Sequence, residues 1–264
     1  MINDFNESMK KYIHDFEVVA NRKINNDYFV LELKAPQKLQ LIKPGQFVEI
    51  KIDNSPGVFL RRPLSIYDID YRHNTISLLI LIVGRGTQAL SLLSAGDFVN
   101  LIYPLGNSFS IPRSGKVLLI GGGVGVAPLL FLGKVLSENN IRPVFLLGAR
   151  SRSYLVELDK FEKLGLVYTT TEDGTYGEKG LVTDHSLLFD SNWNYCQLYA
   201  CGPVQMMKAV SRLSEEMNIS CEVSLENTMA CGFGACLSCV QKTVKGNLCV
   251  CVQGPVFNTK ELIW

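Results

Sequence analysis

Cys231, Cys236 and Cys239 stand at x4 and x2 spacing and are followed by Cys249 and Cys251. Thiolates in this number suit an iron–sulfur centre, and the C-x4-C-x2-C run is one that holds [2Fe–2S] clusters. Gly232, Gly234 and Ala235 let such a loop wrap closely around an inorganic core, with backbone N–H groups approaching the sulfurs. Tetrahedral zinc is the alternative metal, but structural zinc sites usually pair two C-x2-C elements and this chain has a single one. Cys249 and Cys251 share a face of an extended strand, so spacing alone leaves the fourth ligand open between them.

Two further segments suit phosphate-bearing cofactors. Gly121, Gly122, Gly123 and Gly125 lie in the run IGGGVGVAP, after a strand-like KVLLI and before a stretch of helical length. That context suits a dinucleotide pyrophosphate, although the run is not G-x-G-x-x-G and a plain tight βα turn is the alternative reading. Cys201-Gly202-Pro203 ends another strand-like run, and two strand ends can frame one crevice. Earlier in the chain, Arg61-Arg62-Pro63-Leu64-Ser65 and Gly84-Arg85-Gly86-Thr87 place cations and hydroxyls between strands. The planar donor fork of Arg62 can pair with a phosphate, and Gly86-Thr87 opens a helical stretch at 87–93; solvated turn arginines are the plain alternative. Tyr67 or Phe59 is placed either to stack on an isoalloxazine or to join the core. Cys196 and Cys221 read as buried apolar-like side chains. Glu222 and Glu226 flank the cysteine segment, where a carboxylate can receive or relay charge, but they read first as solvated or hydrogen-bonded carboxylates, and the histidines sit in no metal or triad spacing.

The elements that must position these residues follow from composition and pattern. With 264 residues, and about 150 per domain, the chain holds at least one large domain and more readily two. Lys and Arg number 26 against 25 acidic residues, and 19% of residues are charged, which argues against both a strongly basic nucleic-acid binder and an extended disordered chain. The opening MINDFNESMKKYIHDF lacks a signal-sequence core, and the run LLILIV at 78–83 falls well short of the ~20 residues of a bilayer span. The reading is a cytoplasmic protein with neither membrane nor nucleic-acid partner. All 8 cysteines fall in the last 69 residues, a distribution that suggests a metal site rather than a disulfide framework. Short strand-like runs from 15 to 103 predict a small closed antiparallel barrel. After a joint at 112–115 the order strand, glycine turn, helix, strand predicts a doubly wound α/β unit with a helix at 203–217. The tail is too short to bury a core of its own, so it needs close packing and an inorganic centre.

The order RRPLS, GRGT, LLIGGGVGVAP, ACGP and the cysteine tail resembles the ferredoxin-NADP reductase superfamily. MACGFGAC-x2-C with CVQGPVF resembles, within it, the electron-transfer subunits of bacterial class 1B dihydroorotate dehydrogenases. The resemblance implies an FAD-binding antiparallel β-barrel domain at 1–112, an NAD-binding doubly wound α/β domain at 113–221, and a plant-type ferredoxin-like [2Fe–2S] domain at 222–264. The flavin motif Arg-x-x-Ser matches Arg62, Pro63, Leu64 and Ser65; a second flavin-contacting strand matches Leu79, Ile80 and Leu81, and the phosphate Gly-Thr matches Gly86 and Thr87. Gly121, Gly122, Gly123 and Gly125 with Cys201, Gly202 and Pro203 match the nicotinamide side. The cluster ligands become Cys231, Cys236, Cys239 and Cys251, because the last one stands three residues before Gly-Pro-Val-Phe.

The implied activity is an oxidoreductase relay in pyrimidine biosynthesis. Electrons pass from dihydroorotate to FMN in a separate catalytic subunit, then through [2Fe–2S] and FAD to NAD+, in a heterotetramer of two of each chain. This chain has no dihydroorotate site of its own. Flavin is needed because nicotinamide takes a hydride while an iron–sulfur centre passes single electrons. Arg150 and Arg152 after PVFLLG lean toward a 2′-phosphate, and the resemblance leans toward NAD. A stand-alone NAD(P)H-dependent reductase for a soluble acceptor is the second reading, and a zinc-stabilised interaction protein the non-enzymatic one.

Overall fold

The computed structural model describes residues 10–53, 55–189 and 194–264; residues 1–9 of the opening run lie outside it. The first sheet is antiparallel and contains β1 (Tyr12–Lys23), β2 (Tyr28–Lys34), β3 (Phe47–Ile50), β4 (Arg62–Ser65), β5 (Asp68–Asp70), β6 (Thr75–Leu81) and β7 (Phe98–Leu105), in the order β4-β3-β7-β1-β2-β6-β5. Its two edges are consecutive in the chain. Between them Ile66 donates its N–H to Gln46 O and Tyr67 donates to Ser77 O, so the sheet curls round on the single run 62–70. Strand periodicity explains the packing. In β2, Phe29, Leu31 and Leu33 fill the barrel, while Tyr28 and Val30 on the opposite face pack toward the second domain.

The short helix α1 spans Arg85–Ser91, two residues ahead of the expected 87–93. Its start is set by Thr87, whose hydroxyl accepts the N–H groups of Val83 and Gly84 at 2.9 and 3.2 Å.

The second sheet contains β8 (Lys116–Gly122), β9 (Val144–Ala149), β10 (Leu166–Thr171), β11 (Glu178–Lys179), β12 (Tyr195–Cys201), β13 (Ser220–Ser224) and β16 (Val256–Asn258), in the order β11-β10-β9-β8-β12-β13-β16. All pairs are parallel except β13 with β16. Helices α2 (Ala127–Glu138), α3 (Leu158–Glu162) and α4 (Val204–Glu216) cover it. Alternate residues of β8 face opposite layers: Val117 and Leu119 meet Leu129, Leu132 and Leu136 of α2, and Leu118 and Ile120 meet Met207 and Val210 of α4. Strand order reverses at β8, with β9 on one side and β12 on the other, which places a crevice at the carboxyl ends of β8 and β12.

The C-terminal segment adds the hairpin β14 (Val240–Thr243) and β15 (Gly246–Cys249) and the helical turn α5 (Val250–Gln253) before returning as β16. Strand β13 runs across the 221/222 limit read from the sequence. A segment this short satisfies its backbone most readily by adding a strand to an existing sheet.

Barrel and α/β domain meet along a polar seam. Arg22 forms a two-point ion pair with Glu157 at 2.9 and 2.7 Å, Lys134 Nζ meets Asp68 at 2.7 Å, and Tyr154 donates its hydroxyl to Asp27 at 2.6 Å. Among the described residues no helix is long and apolar enough to cross a membrane.

Candidate functional site

Gly121 and Cys201 are register partners at the ends of β8 and β12. The glycine turn lies flat on the Cys201-Gly202 backbone: a Cβ on Gly125 would stand 2.4 Å from Cys201 O. Any side chain there would push the turn off the strand end. The crevice formed here faces Pro63, Leu64, Ser65 and Leu79 of the barrel, and its third wall is the start of the C-terminal segment, Leu225 to Asn227 with Met229. Desolvation by these walls, with the nearby Glu226 charge, raises the Cys201 thiol to about 12 and keeps it neutral.

On the barrel side, Arg62 and Gly86 are brought together. A Cβ on Gly86 would stand 2.8 Å from Arg62 Nε, so the guanidinium lies directly against the start of α1. Arg62 Nη1 is anchored on Leu60 O at 2.7 Å. A planar cation beside the first-turn backbone N–H groups of a helix fits a pyrophosphate. Arg61 has a structural role instead, donating to Asn100 O at 3.0 Å and to Glu49 O at 3.2 Å.

Of the second flavin strand, Leu79 lines the crevice and Leu81 packs on the same face, whereas Ile80 sits in the barrel core, as period-two alternation requires. Tyr67 is fully buried at the domain seam, its hydroxyl 3.4 Å from Glu157, while Phe59 is 93% exposed. Neither lines the crevice. Cys221 is buried as expected, but Cys196 is exposed, because it lies at the first residues of β12 beside the Ser114-Gly115 turn.

The cysteine loop packs on the barrel beside this crevice. Cys239 and Cys251 are buried, Cys231 and Cys249 partly so, and Cys236 is exposed. Backbone N–H groups already point at sulfur: those of Ala235 and Cys236 lie 3.3 and 3.4 Å from Cys231 Sγ, and that of Cys251 lies 3.4 Å from Cys239 Sγ. Although desolvation opposes it, backbone hydrogen bonds from Phe233, Cys236 and Ala235 lower the Cys231 thiol to about 6, into the thiolate form a metal requires. Among the described residues no group of three or more His, Cys, Asp or Glu side chains closes on a single-ion position; the thiols are disposed along a loop and a hairpin. The donor set fits a sulfur-ligated cluster with one edge at the surface and the other against the protein.

Two carboxylates lie near the loop. Glu226 lines the crevice together with Cys201 and Ser65. Glu49 on β3 is fully buried, and both its carboxylate oxygens have no hydrogen-bond partner among the described residues. Burial pushes its carboxyl up to about 7, against the pull of Arg61 and with the Cys231 charge adding to the rise. It lies beneath Gly232 of the cysteine loop, where a Cβ would stand 2.6 Å from Glu49 Cγ. In FVEI a glutamate flanked by apolar residues reads as the solvent face of a strand, and only the fold shows the loop covering it.

This geometry agrees with the relatives of the chain. Residues 226–263 match the iron-sulfur cluster binding domain of dihydroorotate dehydrogenase B, and residues 119–212 match the oxidoreductase NAD-binding domain. The chain is 38% identical over 258 residues to the dihydroorotate dehydrogenase B (NAD(+)) electron transfer subunit of Fusobacterium nucleatum, covering 95% of this chain and 98% of that one. The chain belongs to the dihydroorotate dehydrogenase B electron transfer subunit family. The subunit of the same description from Caldanaerobacter subterraneus is 39% identical over 251 residues, 94% of this chain and 97% of that one. A solved structure of NADH-dependent reduced ferredoxin-NADP oxidoreductase, described for flavin-based electron bifurcation, superposes with a TM-score of 0.86 at 34% identity, covering 94% of this chain and 90% of that one. The family's flavin-type barrel, NAD-binding sheet and iron–sulfur segment are thus the three walls of the crevice.

Proposed function

We propose that this chain is the electron-transfer subunit of a type 1B dihydroorotate dehydrogenase, delivering to NAD+ the electrons that an FMN-containing catalytic subunit takes from dihydroorotate. The observation that carries the reading is the meeting of three walls at one crevice: the Ser65 strand, the Gly121–Gly125 turn with Cys201, and the start of the cysteine segment. When bound, the [2Fe–2S] cluster supplies one-electron transfer and FAD the exchange between single electrons and a hydride.

The residues have separable tasks. Arg62 and the backbone at Gly86-Thr87 hold the FAD pyrophosphate, Pro63 to Ser65 and Leu79 border its ring, and Leu81 supports Leu79 from the same face. The turn Gly121–Gly125 and Cys201-Gly202-Pro203 receive NAD. Its glycines leave backbone N–H groups accessible, and the apolar walls exclude water from the transfer. Neutral Cys201 borders the crevice without adding a charge that would oppose hydride movement. Cys231, Cys236, Cys239 and Cys251 ligate the cluster, Cys251 being preferred for its complete burial and its N–H contact to Cys239. Domain limits near 112 and 221 separate these tasks in the chain.

The exposed cluster edge faces the catalytic subunit. Phe233 and Leu237 flank it at 49% and 62% exposure, an apolar rim suited to a protein partner. We place two copies of each chain in the assembly, in the cytoplasm, where eight unpaired thiols are maintained. The test is to combine the purified chain with an FMN-containing dihydroorotate dehydrogenase chain and follow NADH formation from dihydroorotate and NAD+. Turnover that needs both chains supports the proposal; NADH formation by either chain alone, or none from the mixture, refutes it.

A further inference from the structure

Cys239 is clasped between the end of β15 and the first turn of α5. Its carbonyl accepts the Val250 N–H at 3.1 Å, and its sulfur lies 3.4 Å from the Cys251 N–H. Cys249 pairs in register with Val240, the residue next to Cys239, so the hairpin sets it across from the end of the cysteine loop. The expected strand with both thiols on one face is not what places them beside Cys239: the strand ends at Cys249, opposite Val240, a helical turn starts at Val250, and the Cys251 N–H meets the Cys239 sulfur.

The two thiols differ in one respect. Cys251 is fully buried, whereas Cys249 is partly exposed. Residues two apart have Cα atoms within about 7 Å, a gap that side-chain rotation and a small backbone shift can close. The backbone of Cys249 is held in place independently, its N–H donating to Gln253 Oε1 at 2.9 Å. Four ligands are needed and five thiols are present.

We propose that Cys249 is a reserve ligand of the [2Fe–2S] cluster, a fifth thiol held beside the fourth ligand place that ligates when the Cys251 thiolate is lost. This rests on the cluster reading above. The exchange is redox-neutral: the Cys251 sulfur–iron bond breaks, the Cys249 sulfur–iron bond forms, Cys249 releases its proton to solvent, and the displaced thiolate takes one up.

The test uses the full chain with Cys249→Ala, Cys251→Ala and both together, reading iron and acid-labile sulfide per chain, the electron paramagnetic resonance spectrum of the reduced protein, and bound flavin as the measure of folding. Cys249→Ala is expected to keep wild-type iron and spectrum. Cys251→Ala is expected to keep most of its iron with a shifted spectrum, and the double variant to lose iron while retaining flavin. Cys251→Ala losing as much iron as the double variant overturns the proposal, as does a double variant that keeps its iron. Loss of the cluster in Cys249→Ala alone makes Cys249 the resident ligand and overturns it too. A wild-type chain without iron or sulfide would instead remove the cluster reading on which the proposal stands.

Discussion

Glu49 and Gly232 meet where the cysteine loop rests on the barrel, with Glu49 Cγ 2.6 Å from the position a Cβ on Gly232 would take. Gly232 also has φ +74, a left-handed conformation that costs an L side chain about 1 kcal/mol or more. Gly232→Ala is therefore expected to lift the loop from β3 and reduce iron per chain severalfold while bound flavin stays near wild type. Iron and flavin assays on the purified variant check this. Full iron retention would show that the contact does not position the loop.

The Arg62 guanidinium against Gly86 gives a second expectation. Charge-assisted hydrogen bonds contribute about 1.5–3 kcal/mol, so Arg62→Ala should weaken FAD binding roughly ten- to hundredfold. Gly86→Ala should weaken it as well, because the new methyl displaces the guanidinium from 2.8 Å away. Flavin titration of the apoprotein measures both, and iron content is expected to be unaffected.

Much of this arrangement was legible in the sequence. The strand-like runs of β1 and β2 and the glycine turn between β8 and α2 encode local geometry and stand where they were read, whereas the strand expected to carry both Cys249 and Cys251 ends at Cys249. Contacts between distant segments were not legible. Arg22 meets Glu157 across 135 residues, and nothing in either neighbourhood announces the pair. Glu49 looks like a surface residue until the loop covers it, and β16 joins the α/β sheet because of backbone pairing that a short VFN run does not reveal. Cys196 is exposed because it lies in the first residues of its strand at the sheet end, a position that the hydrophobic pattern of NYCQLYA obscures.

The Arg22–Glu157 pair makes domain docking sensitive to acid. Burial alone would raise the Glu157 carboxyl, but hydrogen bonds from Arg22 and Lys160 outweigh it and hold the carboxyl below its ordinary value of 4.5. A depressed carboxylate contributes stability that is fully present above the unfolded value and is lost as pH falls through the lower folded one. Glu157→Gln should thus destabilise the chain at neutral pH by on the order of 1–2 kcal/mol, partly exposed Arg22 and Lys160 limiting the effect. The difference from wild type should shrink as pH falls below 4.5. Denaturant unfolding at several pH values reads this directly, and a difference that grows in acid would contradict it.

Phe233 and Leu237 are exposed apolar side chains on the cysteine loop. Replacing both by glutamate is expected to weaken association with the FMN-containing chain at least tenfold, leaving iron and flavin content unchanged. Sedimentation or light scattering of the mixed chains measures the association. Wild-type assembly by the double variant would place the docking surface elsewhere.

The relay brings electrons into this chain from the dihydroorotate-oxidising partner and passes them to NAD+. Its most direct test is the visible spectrum of the chain, held anaerobically with its FMN-containing partner, before and after dihydroorotate is added. Bleaching of both the flavin and the iron–sulfur bands is expected with the partner present, and no bleaching without it. Bleaching by NADH or NADPH but never by dihydroorotate, with the partner present, would contradict it and make the chain a stand-alone reductase.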